Sequence, residues 1–401
     1  MPGPLDGVRV LDLTSVVMGP YATSVLAELG ADVVKVEPPG GEVMRKSGPM
    51  RHDDMGHFYL AINRNKRSVV LDLKREAARK LLLRMAAASD VLVYNIRPQA
   101  MERLGLGYEV LSEANPRLLY VGAYGFSQKG PYAARPAYDD LIQGMVGIPW
   151  LSQQAGADKP RYSPVVLVDR MVGLQLANAI TSGLYYRERS GRGQRIDVPM
   201  FEGMLSVILG EHLAGRAFEP PVGPTGYQRS LAKDRRPYRT KDGWLCAIVY
   251  NDKQWGAFFD AIGRPEVFAG DACFHSQNSR LTHIDHVYGF LADTLATRTS
   301  DEWLHLFEQA DIPAARMVSI EDMLIDEHVQ ATGFVREVEH PTEGTVRITA
   351  IPTEWSESVP RHRSHAPLPG ENTREVLREI GIAPEEIETL FNTGAAHQAG
   401  P

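Results

Sequence analysis

The sequence predicts an α/β protein of two domains, the larger built on a mostly parallel sheet. Three observations carry this. Strand-like and helix-like stretches alternate through the first part, as in β-α-β units that lay parallel strands under covering helices. After about residue 200 the texture shifts to a Pro- and Gly-bearing stretch and then to a second α/β set. The chain, at 401 residues, is also too long for one small core.

Each element follows from its residues. "VRVLDLT" (Val8–Thr14) is short, apolar and rich in β-branched residues, hence a strand. "PYATSVLAELG" has Pro20 at a helix start and Gly30 at its end. "ADVVKVEP" is a second strand, and "RSVVLDLK", the helical "REAARKLLLRMAAAS", "DVLVYNIR" and "RLLYVGAYGF" continue the rhythm. The second strand closes on an acid, Glu37, as dinucleotide-binding units do. Its first turn, "SVVMGP", lacks the G-x-G-x-x-G that lets a backbone approach a pyrophosphate. A Rossmann-like domain is therefore expected, with no nicotinamide or flavin.

"AFEPPVGPTGYQRSLAKDRRPYRT" reads as a linker, and "YRTKDGWLCAIVYN" as a hairpin turning at Asp242-Gly243. The helices "DKQWGAFFDAIG", "HIDHVYGFLADTLA" and "SDEWLHLFEQAD", the last capped by Ser300, complete a smaller domain. In the tail, "FVREVEHPTEGTVRITAIP" suggests an antiparallel pair and "NTREVLREIGIAPEEIETLF" a helix rejoining the first domain. The expected boundaries are 1–200 for the first part of the large domain, 201–224 for a linker, 225–325 for the small domain, and 326–401 for a linker and the return.

Composition narrows the function. The net charge of −7 gives no basic excess for nucleic acid. Cys246 and Cys273 are the only cysteines, without a C-x-x-C or His-Cys cluster in sequence, so neither disulfides nor a metal site are expected. No apolar run reaches the roughly 18 residues that span a bilayer, and no secretory pattern opens the chain. A cytoplasmic protein without a membrane partner is the expectation.

One side chain looks misplaced. In "SPVVLVDRMVGLQLANAI" (Ser163–Ile180), Asp169 puts a carboxylate at the mouth of an apolar run, where charge is expensive. It reads as the N-cap of the following helix, or as a functional carboxylate held near the positive end of the helix dipole, and the two roles are compatible. The stretch from Glu42 to Ser68 concentrates Arg45, Lys46, Arg51, Arg64, Lys66 and Arg67, either a solvated basic surface or a phosphate or carboxylate site. "NIRPQAMERLGLGYEVL" and "AYGFSQKGPYAARPAYDD" are loops after strands, where open α/β sheets bind ligands. The residues alone lead to an α/β enzyme with a carboxylate and an anionic ligand.

Read in order, "LDGVRVLDLTSVVMGPYATSVLAELGADVVKVEPPGG", "NRNKRSVVLDLK", "NIRPQAMERLGLGYEVL", "GAYGFSQKGP" with "AYDDLIQGMVG", "VDRMVGLQLANAITSGLYYRERSGRGQRIDVPMFE" and "DEHVQATGF" resemble the family III CoA-transferases. That group includes formyl-CoA transferase, carnitine CoA-transferase and α-methylacyl-CoA racemase. The resemblance covers nearly the whole chain. It implies a large domain made from both chain ends, an interlocked homodimer, and coenzyme A brought in as acyl-CoA with a free carboxylic acid as second substrate. It implies Asp169 as nucleophile, with amides near the helix start stabilising the oxyanions. Leu71 and Lys74 match positions bordering the adenine and phosphate end of CoA. Asn95, Ile96 and Arg103 match further CoA contacts, Met18 and Val17 the loop beside the thioester, and Tyr138 a tyrosine near the acyl group.

The departures are informative. Val17 stands where the formyl/oxalate enzyme has glutamine, and "IVYNDKQW" lacks that enzyme's glycine run, which favours a bulkier acyl group. In the racemases a histidine works with the aspartate; here Tyr138 takes its place, and a phenol, with an ordinary pKa of about 10, is a poor base near neutrality. Transfer is therefore favoured over racemisation. A non-catalytic CoA-binding subunit is opposed by Asp169 occurring together with Lys74, Asn95 and Arg103. Arg45, Arg51, Arg135, Arg161 and Arg170 are candidates to hold the distal carboxylate of a dicarboxylic acid.

Overall fold

The computed structural model describes residues 2–398. The first strands are β1 (Arg9–Leu13), β2 (Asp32–Glu37), β3 (Lys66–Leu71), β4 (Val91–Tyr94), β5 (Leu119–Tyr124) and β6 (Gln194–Pro199). All pair in parallel, in the order β3-β2-β1-β4-β5-β6, which is that of a doubly wound nucleotide-type sheet. Near-continuous apolar runs such as β4 and β5 are buried along their whole length, as strands covered on both faces must be.

The helices between them are α1 (Met18–Glu28), α2 (His57–Ile62), α3 (Glu76–Ala87), α4 (Pro98–Arg103), α5 (Tyr108–Ala114), α6 (Asp139–Met145), α7 (Ile148–Gln154) and α8 (Leu167–Ser190), and α9 (Met200–His212) follows β6. α1 starts two residues before Pro20, which falls in the first turn, where a missing N–H costs nothing. The later strands are β7 (Tyr238–Arg239), β8 (Trp244–Ala247), β9 (Ala314–Arg316), β10 (Val335–His340), β11 (Gly344–Thr349) and β12 (Ala396–His397). β12 adds to the outer edge of β3 antiparallel, pairing Ala396 with Leu71, so the tail does return to the first sheet. The tail helix is in fact two, Thr373–Glu379 and Pro384–Asn392, parted where Gly381 takes φ +78°.

The chain divides into two compact units. One comprises 1–146, 163–206 and 328–401; the other comprises 147–162 and 207–327. The second unit thus takes in α7, which the sequence placed in the large domain, and the division falls inside α9. The first unit buries apolar side chains such as Leu11, Val34, Leu82 and Leu92 around its sheet. The second is built on a smaller antiparallel sheet, β7-β8-β9, and an aromatic core of Trp255, Phe258, Phe259, Phe274, Trp303 and Phe307. Its helix Ser300–Gln309 is capped by Thr299 in a capping box with Glu302, one residue before the expected Ser300. Among the described residues no helix is long and apolar enough to cross a membrane.

Candidate active site

Asp169 sits in the first turn of α8, but it is not the cap. The N-cap position is Val166, which offers no side-chain acceptor. Asp139, at the start of α6, fills that role from a distance: its Oδ1 accepts the Asp169 N–H at 2.9 Å. Its other oxygen accepts from Gln143 Nε2 at 2.6 Å, and Gln143 Oε1 accepts the Ser163 N–H at 2.8 Å. The cap reading of Asp169 is corrected accordingly. Its own carboxylate accepts no hydrogen bond among the described residues, although the residue is only 7% exposed. Burial first, and the negative charge of Asp139 second, push its pKa up to about 7, against the pull of Arg170. The helix dipole favours an anion here, yet burial outweighs it.

The approach of α8 to α1 has a steric basis. A Cβ at Gly173 would stand 2.9 Å from Met18 O and Tyr21 Cδ1, so a larger residue would force the helices apart. Val166 thereby joins an apolar cluster with Val17 and Tyr21, and the Arg170 guanidinium lies 4.3 Å above the Tyr21 ring. Val17 and Met18 are buried at the start of α1. Just before them Val16 has φ +70°, a conformation that costs a β-branched residue on the order of 1–3 kcal/mol.

The surroundings over-determine that loop. Ser15 N–H donates to Asn95 Oδ1 at 3.0 Å, and Asn95 Nδ2 donates back to Ser15 O at 2.8 Å. Val16 N–H reaches Glu42 Oε2 at 3.2 Å. Beneath it, Asp12 accepts from the Thr14 N–H and hydroxyl, from Thr23 Oγ1 at 2.6 Å, and from Lys66 Nζ at 3.2 Å. Lys35 Nζ donates to Thr14 O at 2.8 Å. Asn95, matched to a CoA contact, thus has its amide committed to the loop. Glu42, Asp12 and Lys35 escaped the sequence reading, because nothing in a strand's residue pattern announces which charges pair inward.

A cavity of about 690 Å³ opens at the carboxyl ends of the first strands, where open α/β sheets take their ligands. Leu71, Lys74 and Ile96 line it together with Leu13, Glu42 and Leu104. Lys74 is exposed, and its ammonium has no ion-pair partner among the described residues. Arg103 ends α4 one residue before Leu104, exposed and likewise without an ion pair, but it does not line the cavity. Two larger cavities, of about 820 and 940 Å³, flank β10 and β11 and contain none of the residues matched to CoA contacts. Tyr138, directly before Asp139, is 69% exposed, and among the described residues no hydrogen bond or ring contact joins it to Asp169.

The basic stretch is only in part a solvated face: Lys46 and Arg51 are exposed, while the other four cations are wholly or partly buried in ion pairs. Arg45 is fully buried, with Nε and Nη2 on Glu37 at 2.6 Å and Nη2 also on Tyr59 Oη. Lys66 is buried on Asp12, Arg64 pairs with Glu28, and Arg67 pairs with Asp32 and Glu379. Arg45 therefore cannot serve a dicarboxylate, and Arg51 is engaged by the carbonyls of Glu343 and Thr345. Arg135 stacks on Tyr132, and Arg161 lies exposed in the second unit. Arg170 alone adjoins Asp169. The amides expected to hold an oxyanion are largely taken: Leu167 N–H by Val165 O, Arg170 N–H by Val166 O, and Asp169 N–H by Asp139.

Comparison with known proteins identifies the frame in which this geometry sits. Residues 5–373 match the model of CoA-transferase family III. A succinyl-CoA:glutarate CoA-transferase of Mus musculus is 30% identical over 98% of this chain and 91% of its own length. An acetyl-CoA:oxalate CoA-transferase of Acetobacter aceti is 36% identical over 79% of this chain and 82% of its own. The crystal structure of a CAIB/BAIF family protein from Brucella suis superposes with a TM-score of 0.79 at 29% identity, covering 95% of this chain and all of that one. Fold, sequence and length agree: the chain belongs to the family III CoA-transferases, enzymes that act on CoA thioesters.

Proposed function

We propose that this enzyme moves CoA between carboxylic acids, with Asp169 as the covalent relay. The observation that carries the proposal is a buried carboxylate without a donor, at the first turn of α8. Such a group is a stronger nucleophile than a solvated aspartate, because its anion is desolvated and accepts no hydrogen bond among the described residues. One Asp169 oxygen attacks the thioester carbonyl, the C–S bond breaks, and CoA leaves as thiolate from a mixed anhydride. The thiolate attacks the aspartyl carbonyl and releases the donor acid as carboxylate, leaving an aspartyl-CoA thioester. The acceptor carboxylate attacks that thioester, again expelling thiolate. The thiolate then takes the acceptor's acyl carbon and frees Asp169. Exclusion of water protects both anhydrides from hydrolysis.

The cavity lined by Leu71, Lys74 and Ile96 is the proposed seat of the CoA nucleotide, with Lys74 in its lining and Arg103, outside the lining but next to Leu104, meeting its phosphates. Val17, Met18 and Tyr138 belong to the acyl side of the site, and Asn95 contributes by holding the loop that carries Val17. Glutarate and oxalate, in the names of the two relatives, are both dicarboxylates. We extend that class to the acceptor here, with Arg170 as the cation beside Asp169. The assembly proposed is an interlocked homodimer, which should persist on dilution because separation would require unfolding.

The test is chemical. Incubation with acyl-CoA followed by hydroxylamine should mark the peptide containing Asp169, and mass spectrometry should find no other modified acid. A 2-methylacyl-CoA turned over in deuterated water should gain no deuterium. Label on another residue, or Asp169-dependent deuterium uptake, would overturn the reading.

A further inference from the structure

In the second unit, three potential ligands of different chemistry converge. Asp271, Cys273 and His286 each present a ligating atom, and those atoms lie within 4.8 Å of one another. Bonds from zinc are about 2.3 Å to a thiolate and about 2.0 Å to imidazole or carboxylate, so two ligand atoms on a tetrahedral ion stand roughly 3.5 Å apart. The observed cluster needs only side-chain adjustment to reach that spacing. We infer that these residues form a binding site for a zinc-class divalent cation, with water completing the coordination.

The backbone supports the three ligands from packed elements. Asp271 and Cys273 belong to one short turn, Ala272–Phe274 with its cap, and Asp271 Oδ1 accepts the Cys273 N–H at 2.9 Å. That leaves Asp271 Oδ2 for His286, whose Nε2 is 3.0 Å away. His286 projects from the helix Ile284–Leu295, and its ring rests 5.7 Å from that of Phe274. Phe274 is fully buried against Trp255 and Phe259, so the turn and the helix share one aromatic anchor. The chemistry of the set is specific: thiolate and imidazole select zinc-like ions over magnesium or calcium. The sequence hid the site because it uses one cysteine, with its acid two residues before and its histidine thirteen residues after, and no paired-cysteine spacing.

The ion would act as a clip, tying the 271–274 turn to the helix Ile284–Leu295. It belongs to the second unit and Asp169 to the first, so its test does not depend on the transferase chemistry. Cobalt(II) added to the reduced full-length protein reads the site directly, because a thiolate ligand gives a near-ultraviolet charge-transfer band. One equivalent should bind with that band, and zinc should displace it and raise the melting temperature. Cys273→Ser should abolish the band, His286→Gln should weaken binding tenfold or more, and Cys246→Ser should change neither. Circular dichroism checks that each variant is folded. No band at equimolar cobalt, or a band that survives Cys273→Ser, would overturn the assignment.

Discussion

Asp12 and Asp169 belong to the same unit and both are buried, yet their carboxyls are driven in opposite directions. For each, burial is the largest influence and raises the pKa. Asp12 ends at about 2, because Lys66, Lys35 and the hydroxyls of Thr14 and Thr23 more than offset that penalty. Asp169 ends at about 7, because its nearest charged companions are a second carboxylate and only one opposing arginine. The difference teaches that burial alone says little about a charge. A buried anion with donors on every side fixes structure; one without them stores reactivity.

The largest effect that would test this contrast is on turnover. Asp169→Ala should lower kcat by on the order of 10⁴ or more, the scale of other nucleophile deletions. CoA binding, measured by calorimetry, should survive, since Lys74 and Ile96 are untouched. A folded variant with normal turnover would reduce Asp169 to a bystander.

Asp12→Ala should act on stability. Removing the anion leaves Lys66 buried without its counter-charge, a loss of about 3–5 kcal/mol. Urea unfolding measures it, and Lys66→Met added to the first change should recover part of the loss. The sign with pH follows from the lowered pKa. Asp12 contributes its stability above the unfolded value of 3.8 and loses it as pH falls toward about 2. A double variant no better than Asp12→Ala would mean that the pair is not the unit of stability.

Asp169→Asn should do the reverse and stabilise the protein, by about 2 kcal/mol at pH 8. The folded pKa of about 7 lies above the ordinary aspartate value of 3.8, so the folded state binds more protons between those limits. Wild-type stability therefore falls as pH rises through that window, and the asparagine variant escapes the fall. Thermal melts at pH 5 and pH 8 should show a gain that is small at the first and larger at the second. An equal gain at both would assign the effect to packing.

Much of the frame was legible in the chain. Strands β1 to β5 announced themselves as short apolar runs, and the missing glycine fingerprint argued against a dinucleotide reading of Glu37, whose carboxylate accepts from Arg45. The hairpin at Asp242-Gly243 followed from its turn residues, with Arg239 facing Trp244. What stayed hidden was long-range. Nothing in the residue pattern around Arg45 or Lys66 tells that Glu37, at the end of β2, and Asp12, in β1, await them, so a largely buried ion network looked like a charged surface. The cap of α8 was hidden for the same reason, since Asp139 lies thirty residues from the amide it serves.

The smallest expected effect separates the two things Asp139 does. As a cap, its oxygen satisfies the Asp169 N–H; as a charge, it helps raise the Asp169 pKa. Asp139→Ala removes both and should cost about 1 kcal/mol of stability, typical for a lost cap. Asp139→Asn keeps a carbonyl acceptor and removes only the charge, so stability should hardly change. If Asp169 must be ionised to attack, kcat/KM rises with pH through about 7 in the wild type. Both variants should move that rise to lower pH, because a like charge has gone. The asparagine variant is the sharper probe, since its fold is intact while its pH profile shifts. A profile that stays in place would show that burial alone sets the Asp169 pKa, and Asp139 would remain a cap without a part in the chemistry.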